Sequence, residues 1–287
     1  MPELPEVEVV RKSLNKFIID KKIKKVHIFN RNLRYKISKN LKKFAENQKV
    51  VSTKRKSKYL LIQLKNNHTI LLHLGMTGKI FISNKNKTQR TSFYFKNNFD
   101  KKHNHFSFEF NKKKLIIYND VRKFGFVKIF KNNKIASCSH LKNLGLDPLS
   151  RNFNKNYLKN KLSNIKKNIK NFLMDQKHVS GIGNIYANEI LYLSSIDPRK
   201  KANEINNKII LTLVKNIKSV LIDSIKNGGS SIKDFKGITG KNGYFQQKFK
   251  VYDREGLKCK KKGCTGVIKK IYISNRSSFF CTLCQNI

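Results

Sequence analysis

Two close pairs of cysteines near the C-terminus constrain this chain more than any other feature. Cys259 and Cys264 are four residues apart in their intervening run, Cys281 and Cys284 two, and sixteen residues separate the pairs. Two such knuckles joined by a hairpin-sized insert can close a tetrahedral site of four thiolates around zinc. No position is left open for chemistry, so the metal is structural. The insert, 265–280, reads as two strands around Ser274-Asn275. A ribbon this small has no core of its own and depends on its metal to fold. One structural Zn2+ per chain is the expectation. The fifth cysteine, Cys138, stands apart and reads as a half-buried core residue.

The charge balance points to a polyanionic partner. The 287 residues carry 63 Lys+Arg against 17 Asp+Glu, a formal net charge of +46. The sign of that field favours nucleic acid. Its magnitude is a poorer guide, because only ten of the 63 are arginine and Lys, Asn and Ile flood the whole chain. Hydrophobic residues make up 39%, enough for two separate cores at this length. No apolar run reaches the ~20 residues of a membrane span, and the N-terminus lacks a signal-peptide pattern. The expected location is cytoplasmic and nucleoid-associated, as a monomer without membrane partner or small-molecule cofactor.

The chain divides by periodicity into an α+β, two-domain arrangement. Val7, Val10, Leu14 and Phe17 recur at helical spacing and predict a helix over 3–18. From about 24 to 131 short β-type runs follow: 26–29, 59–64, 69–74, 92–95, 106–110, 114–118 and 126–130. Their spacing predicts a two-sheet sandwich. Helical periodicity then returns over 154–163, 166–177, 184–194 and 204–227, ended by Gly228-Gly229. The resulting boundaries are 1–135 for the sandwich, 136–151 for a linker, 152–250 for a helical domain and 251–287 for the ribbon.

The opening octapeptide, MPELPEVE, allows two readings. Loss of Met1 would free Pro2 as a secondary amine beside Glu3 and Glu6. An α-amino group titrates near pH ~8 and can act as a covalent nucleophile at a sugar C1′. The other reading is an ordinary helix start, where proline and acidic residues are common. Both stay open at this point. Other residues are similarly ambiguous alone. Lys58 begins a strand in a lysine-rich stretch and could be one more surface lysine. His73 and Met76, and Arg122 and Phe124, lie just beyond strands, where an arginine and apolar wedges can replace an extruded base. Taken singly, Met76 and Phe124 are more often core than wedge, and His73 more often a satisfied histidine than a contact. Arg276, at the tip of the metal-stapled hairpin, suits a phosphate contact or a solvated turn.

The pieces together resemble the formamidopyrimidine-DNA glycosylase family over essentially the full length. The matching stretches, in order, are MPELPEVE, KSKYL, HLGM, DVRKFG, MDQKHVSGIGNIYANE, GGSSIKDF, GYFQQKFKVYDREG and the cysteine ribbon ending NRSSFFCTLCQ. The resemblance implies a β-sandwich catalytic domain with an N-terminal helix, a helix-two-turn-helix domain and a zinc ribbon. It implies removal of 8-oxoguanine and formamidopyrimidines from double-stranded DNA through a Pro2 Schiff base, then strand cleavage by β- and δ-elimination. Glu3 would serve as acid/base group, Glu6 as its support, and Lys58 as a catalytic contact to the damaged nucleotide. His73, Asn184, Tyr244 and Arg276 match phosphate-binding positions, Arg276 also counting in the catalytic set. Met76, Arg122 and Phe124 match the trio that fills the void, and 228–243 matches a loop over the extruded base. The first cysteine pair is one departure, x4 where x2 is common; Lys123, where arginine is also common, is another. Alternatives are an endonuclease VIII-like enzyme for oxidised pyrimidines and a non-catalytic zinc-ribbon DNA-binding protein. Leu4, where that sister enzyme has glycine, and Arg122-x-Phe124 favour the purine enzyme.

Overall fold

Helix α1 (Leu4–Ile18) begins one residue after Glu3, which is extended at φ −99° and serves as its N-cap. Glu6, three residues on, reaches back so that its Oε2 accepts the Glu3 backbone N–H at 2.8 Å. Pro5 fits the first turn because no N–H is needed there. One face of α1 is wholly buried through Leu4, Val7, Val10, Leu14 and Ile18. Each contributes about 1.5–3 kcal/mol of burial. The polar first turn thus stays at a fixed point above an apolar anchor.

The computed structural model describes residues 1–84, 87–90, 100–110, 114–230 and 247–286. The expected strand at 92–95, Tyr244 and all but the start of the expected capping loop lie outside these residues. Two units emerge among the described residues: 1–142 with 227–230, and 143–226 with 247–286. The sandwich unit therefore runs past 135, and the start of the 228–243 segment groups with it rather than with the helices. The physical reason is local: Ser230 is bonded to Glu6 of α1 through its N–H and hydroxyl.

The first unit contains β1 (Lys25–Ile28), α2 (Asn40–Ala45), β2 (Val50–Lys56), β3 (Tyr59–Leu64), β4 (His68–His73) and β5 (Lys79–Asn84). It continues through β6 (Lys87–Arg90), β7 (Asn104–Phe110), β8 (Lys114–Asn119), β9 (Phe126–Lys131) and α3 (Asn132–Ile135). The strands form two antiparallel sheets, ordered β1-β7-β8-β5-β6 and β2-β3-β4-β9. Leu60, Ile62 and Leu72 from one sheet share a core with Phe106, Phe108, Ile116 and Tyr118 from the other, closed by α1. This is the expected sandwich. Sequence periodicity missed β2, β5 and β6. A bulge between Val50 and Ser52 leaves the buried Val50 and Thr53 three residues apart, and Lys54-Arg55-Lys56 follow, so β2 shows no alternation in the sequence.

The second unit holds α4 (Lys155–Leu162), α5 (Ile169–Met174), α6 (Asn184–Leu193), α7 (Asn207–Lys226) and the hairpin β10 (Ile268–Ile273) with β11 (Arg276–Cys281). Helix α5 is shorter than the expected 166–177. Asn168 caps it by accepting the Asn171 N–H at 2.8 Å, and the chain turns after Met174. Gln176 builds that turn: its amide donates to Met174 and Ile182 carbonyls and accepts from the Gly181 N–H. The result is two tight turns between α5 and α6, whose apolar faces bury Phe172, Leu173, Tyr186 and Ile190.

Candidate active site

In the sandwich unit, the start of α1 gathers the N-terminal candidates. Pro2, Glu3 and Glu6 are all buried. The Glu6 carboxylate is saturated by design of the turn: Oε2 takes the Glu3 N–H, and Oε1 takes the Ser230 N–H at 2.7 Å and hydroxyl at 2.9 Å. Gly229, at φ +88°, lies so close that an added Cβ would be 3.1 Å from Glu6 Oε1. Carboxylates at a helix N-terminus also gain from its partial positive charge.

With Met1 in place, the Pro2 nitrogen is an amide and the free amine belongs to Met1. Burial is the main cause holding that amine below its ordinary pKa; Glu3 and Glu6 oppose the shift, while Lys58 and Arg122 reinforce it. The N-terminus, both glutamates, Lys58 and Arg122 therefore share one electrostatic environment. Lys58 itself is only 6% exposed, which is rare for lysine.

His73 ends β4 beside this site. Its Nδ1 accepts the Gly75 N–H at 3.1 Å, which leaves the proton of the neutral ring on Nε2. Burial first, then the charges of Lys58, Arg34 and His140, pull its pKa down to about 4. The ring is a neutral donor at physiological pH.

The two loops beyond the strands touch. Met76, Arg122 and Phe124 are exposed on their tips, and the Arg122 guanidinium sits 4.6 Å over the Phe124 ring. Together with Met1, Arg34, His73, Gly75 and Lys123 they line a cavity of about 650 Å³. Gly75, at φ +60°, permits the contact, since a Cβ there would be 2.4 Å from the Gly125 nitrogen. Asp120, wholly buried, fastens both loops. It accepts the Gly125 N–H at 2.8 Å, the Thr77 hydroxyl at 2.5 Å and the Tyr118 hydroxyl at 3.3 Å. Thr77 in turn accepts the Arg122 N–H at 3.0 Å.

In the helical unit, the hairpin tip is bonded to the helices. Ser274 and Asn275 both have positive φ, closing a two-residue turn that leaves Arg276 exposed. Asn184 opens α6, and its Nδ2 donates to the Ser277 carbonyl at 3.0 Å; its Oδ1 is buried with no partner among the described residues. Lys170 of α5, wholly buried, donates to the same carbonyl at 2.8 Å and to the Ser278 hydroxyl at 2.7 Å. Asn188 accepts the Phe279 N–H at 2.7 Å. Glu189 takes three successive backbone N–H groups, from Lys250, Val251 and Tyr252.

The four cysteines converge at the other end of the hairpin, with all sulfurs within 4.8 Å of one another. Cys264 and Cys281 are 3.7 Å apart, and Cys259 and Cys284 3.4 Å. Tetrahedral bonds of ~2.3 Å would space four sulfurs about 3.8 Å apart, so the cluster can hold a metal with little movement. Backbone N–H groups of Lys261 and Gly266 point at Cys259 and Cys264. Burial would raise the Cys259 thiol, but the Tyr192 hydroxyl at 3.2 Å, the Lys261 N–H and the Cys284 and Cys281 thiols bring it down to about 7. Burial and neighbouring thiols push Cys284 up. A cation in the centre relieves that opposition.

Residues 1–127 match the family model described as the formamidopyrimidine-DNA glycosylase N-terminal domain, and 144–236 match that family's H2TH domain. The chain belongs to the formamidopyrimidine-DNA glycosylase family. A formamidopyrimidine-DNA glycosylase of Rickettsia bellii is 40% identical over 286 residues, covering 99% of both chains. Two solved structures from Lactococcus lactis have the same fold. One, a variant glycosylase in complex with Fapy-dG-containing DNA, has a TM-score of 0.86 at 31% identity, covering 100% of both chains. The other, bound non-covalently to DNA containing an AP site, has a TM-score of 0.84 at 30% identity and covers 99% of this chain and all of its own.

For a member of this family, the structure gathers Pro2, Glu3, Glu6, Lys58, His73, Met76, Arg122 and Phe124 in one unit. Asn184, Arg276 and the four cysteines lie in the other. Sequence reasoning missed Asp120, Arg34, Lys170 and Glu189. Asp120 and Glu189 fall inside quoted motifs and Lys170 four residues before one, which says nothing of their burial. No helix among the described residues is long and apolar enough to cross a membrane.

Proposed function

We propose that this protein is a bifunctional DNA glycosylase/AP lyase for oxidised purines. The observation that carries the reading is the buried N-terminal site, where an amine shares its surroundings with Glu3, Glu6 and Lys58. Removal of Met1 turns the Pro2 nitrogen into a secondary amine in these surroundings. Burial and the two cations favour its neutral, nucleophilic form. Pro2 attacks C1′ of the flipped nucleotide, the bond to the base breaks, and a Schiff base forms. The iminium then draws electrons from the sugar, so that β- and δ-elimination cut the strand. Glu3 passes the protons at the sugar, while Glu6, held by the Glu3 and Ser230 N–H groups, keeps that turn fixed. Lys58 contacts the damaged nucleotide.

The remaining residues hold duplex DNA. Met76, Arg122 and Phe124 enter the space left by the extruded base. His73 presents a neutral Nε2–H, Asn184 a second amide hydrogen and Arg276 a full charge to phosphates; Tyr244 completes that set. Four thiolates of Cys259, Cys264, Cys281 and Cys284 hold a structural zinc ion, which when bound stiffens the hairpin and takes no part in the reaction. The protein works on the chromosome in the cytoplasm.

Single-turnover assays of the Met1-processed protein test this reading. Base excision from 8-oxoguanine duplexes should outpace that from oxidised-pyrimidine duplexes. Glu3→Gln should bind the duplex normally but excise about 10²–10⁴-fold more slowly. Equal excision by Glu3→Gln would contradict the assigned chemistry, and a pyrimidine preference would favour the endonuclease VIII-like alternative.

A further inference from the structure

The turn that carries Lys58 is unusual in two ways. Ser57, its neighbour, adopts φ +56° though it is not glycine, and both residues are buried. A left-handed non-glycine residue and a buried amine are each unfavourable, and they persist only where surrounding contacts impose them. One such contact comes from Arg55, two residues earlier on β2. Its Nη1 donates to the Ser57 carbonyl at 3.1 Å, and its Nε donates to Glu8 Oε2 at 3.1 Å.

Glu8 belongs to α1, the helix that begins at Glu3. Arg11 grips Glu8 from the same helix, through Nε at 3.0 and 3.1 Å and Nη2 at 2.7 Å, and ties β2 by donating to the Thr53 carbonyl at 3.3 Å. The Arg55 side chain is 8% exposed and that of Glu8 14%, so the pair is shielded from solvent. A charge-assisted bond of this kind is stronger than a surface ion pair. The helix that sets the nucleophile's position therefore also sets the turn presenting the lysine.

We propose that Arg55 is a positioning residue for Lys58: anchored on Glu8, it holds the Ser57 carbonyl and so fixes the lysine amine against the N-terminal site. The inference rests on the reading of Lys58 as part of that site. Lys58 acts electrostatically on both the N-terminal amine and His73, so a turn displaced by even one ångström changes the alignment of reacting groups.

A double-mutant cycle tests it, with single-turnover cleavage of 8-oxoguanine duplexes at saturating Met1-processed enzyme. Lys58→Ala should lose rate strongly, and Arg55→Ala should lose about 10²-fold with duplex affinity nearly unchanged. In the Lys58→Ala background, Arg55→Ala should cost no further rate, because nothing is left to position. Arg55→Lys should be as slow as Arg55→Ala, since one ammonium cannot bridge Glu8 and Ser57 in fork geometry. This variant keeps the charge opposite Glu8, so it remains informative if Arg55→Ala fails to fold. Additive losses in the double variant, or wild-type cleavage by Arg55→Lys, would overturn the positioning role. Wild-type cleavage by Lys58→Ala would instead remove the active-site reading of Lys58, and the inference with it.

Discussion

Asp120 accepts the backbone N–H of Gly125 at 2.8 Å from a wholly buried position. That single bond closes the loop carrying Arg122 and Phe124, and the same carboxylate takes the Thr77 hydroxyl from the loop carrying Met76. The three exposed tips therefore share one internal anchor.

Asp120→Asn should loosen both loops. An amide must point a donor at one of three donating partners, leaving a buried group unsatisfied at a cost of about 1–3 kcal/mol. Unfolding midpoints should fall accordingly. Excision of 8-oxoguanine should slow, and discrimination between bases opposite the lesion should narrow. The check is excision measured against each of the four opposite bases; unchanged discrimination would remove Asp120 from lesion recognition.

His73 makes stability depend on pH. Its folded pKa of about 4 lies below the ordinary 6.5, so the folded chain binds fewer protons between those values. Its contribution is fully present above pH 6.5 and is lost as the pH falls toward 4. The loss is on the order of 3 kcal/mol. Urea unfolding across that window should show the decline, and His73→Gln should flatten it. Parallel curves for the two proteins would refute the assignment.

The cysteine cluster should bind one zinc ion per chain. Cys281→Ser should lose the metal, disorder the hairpin and weaken duplex binding, leaving the sandwich unit folded. Arg276→Ala should keep the metal but reduce the slope of log affinity against log salt by about 0.9, one phosphate contact. Elemental analysis and titrations at several salt concentrations report both. Metal-free protein with normal duplex binding would contradict the structural role.

Much of this architecture is legible in the chain. Val7, Val10 and Leu14 give α1 by spacing, and the cysteine pairs frame the hairpin. The wedge trio stayed an open reading until the motif resemblance, because Met76 and Phe124 look like core residues in a string of letters. Arg55, Asp120 and Lys170 stayed hidden for a different reason. Their partners are remote: Glu8 lies 47 residues from Arg55, Thr77 43 from Asp120, and Ser277 107 from Lys170. Among 63 basic residues, a lysine buried by tertiary packing carries no local mark.

The central claim is that the Pro2 nitrogen becomes a covalent nucleophile. Borohydride reduction of the Met1-processed protein on an 8-oxoguanine duplex, followed by peptide mapping of the adduct, tests it most directly. The expected result is a stable protein–DNA cross-link at Pro2, absent from chain that retains Met1. A cross-link at a lysine, or strand cleavage at full rate by chain retaining Met1, would contradict it.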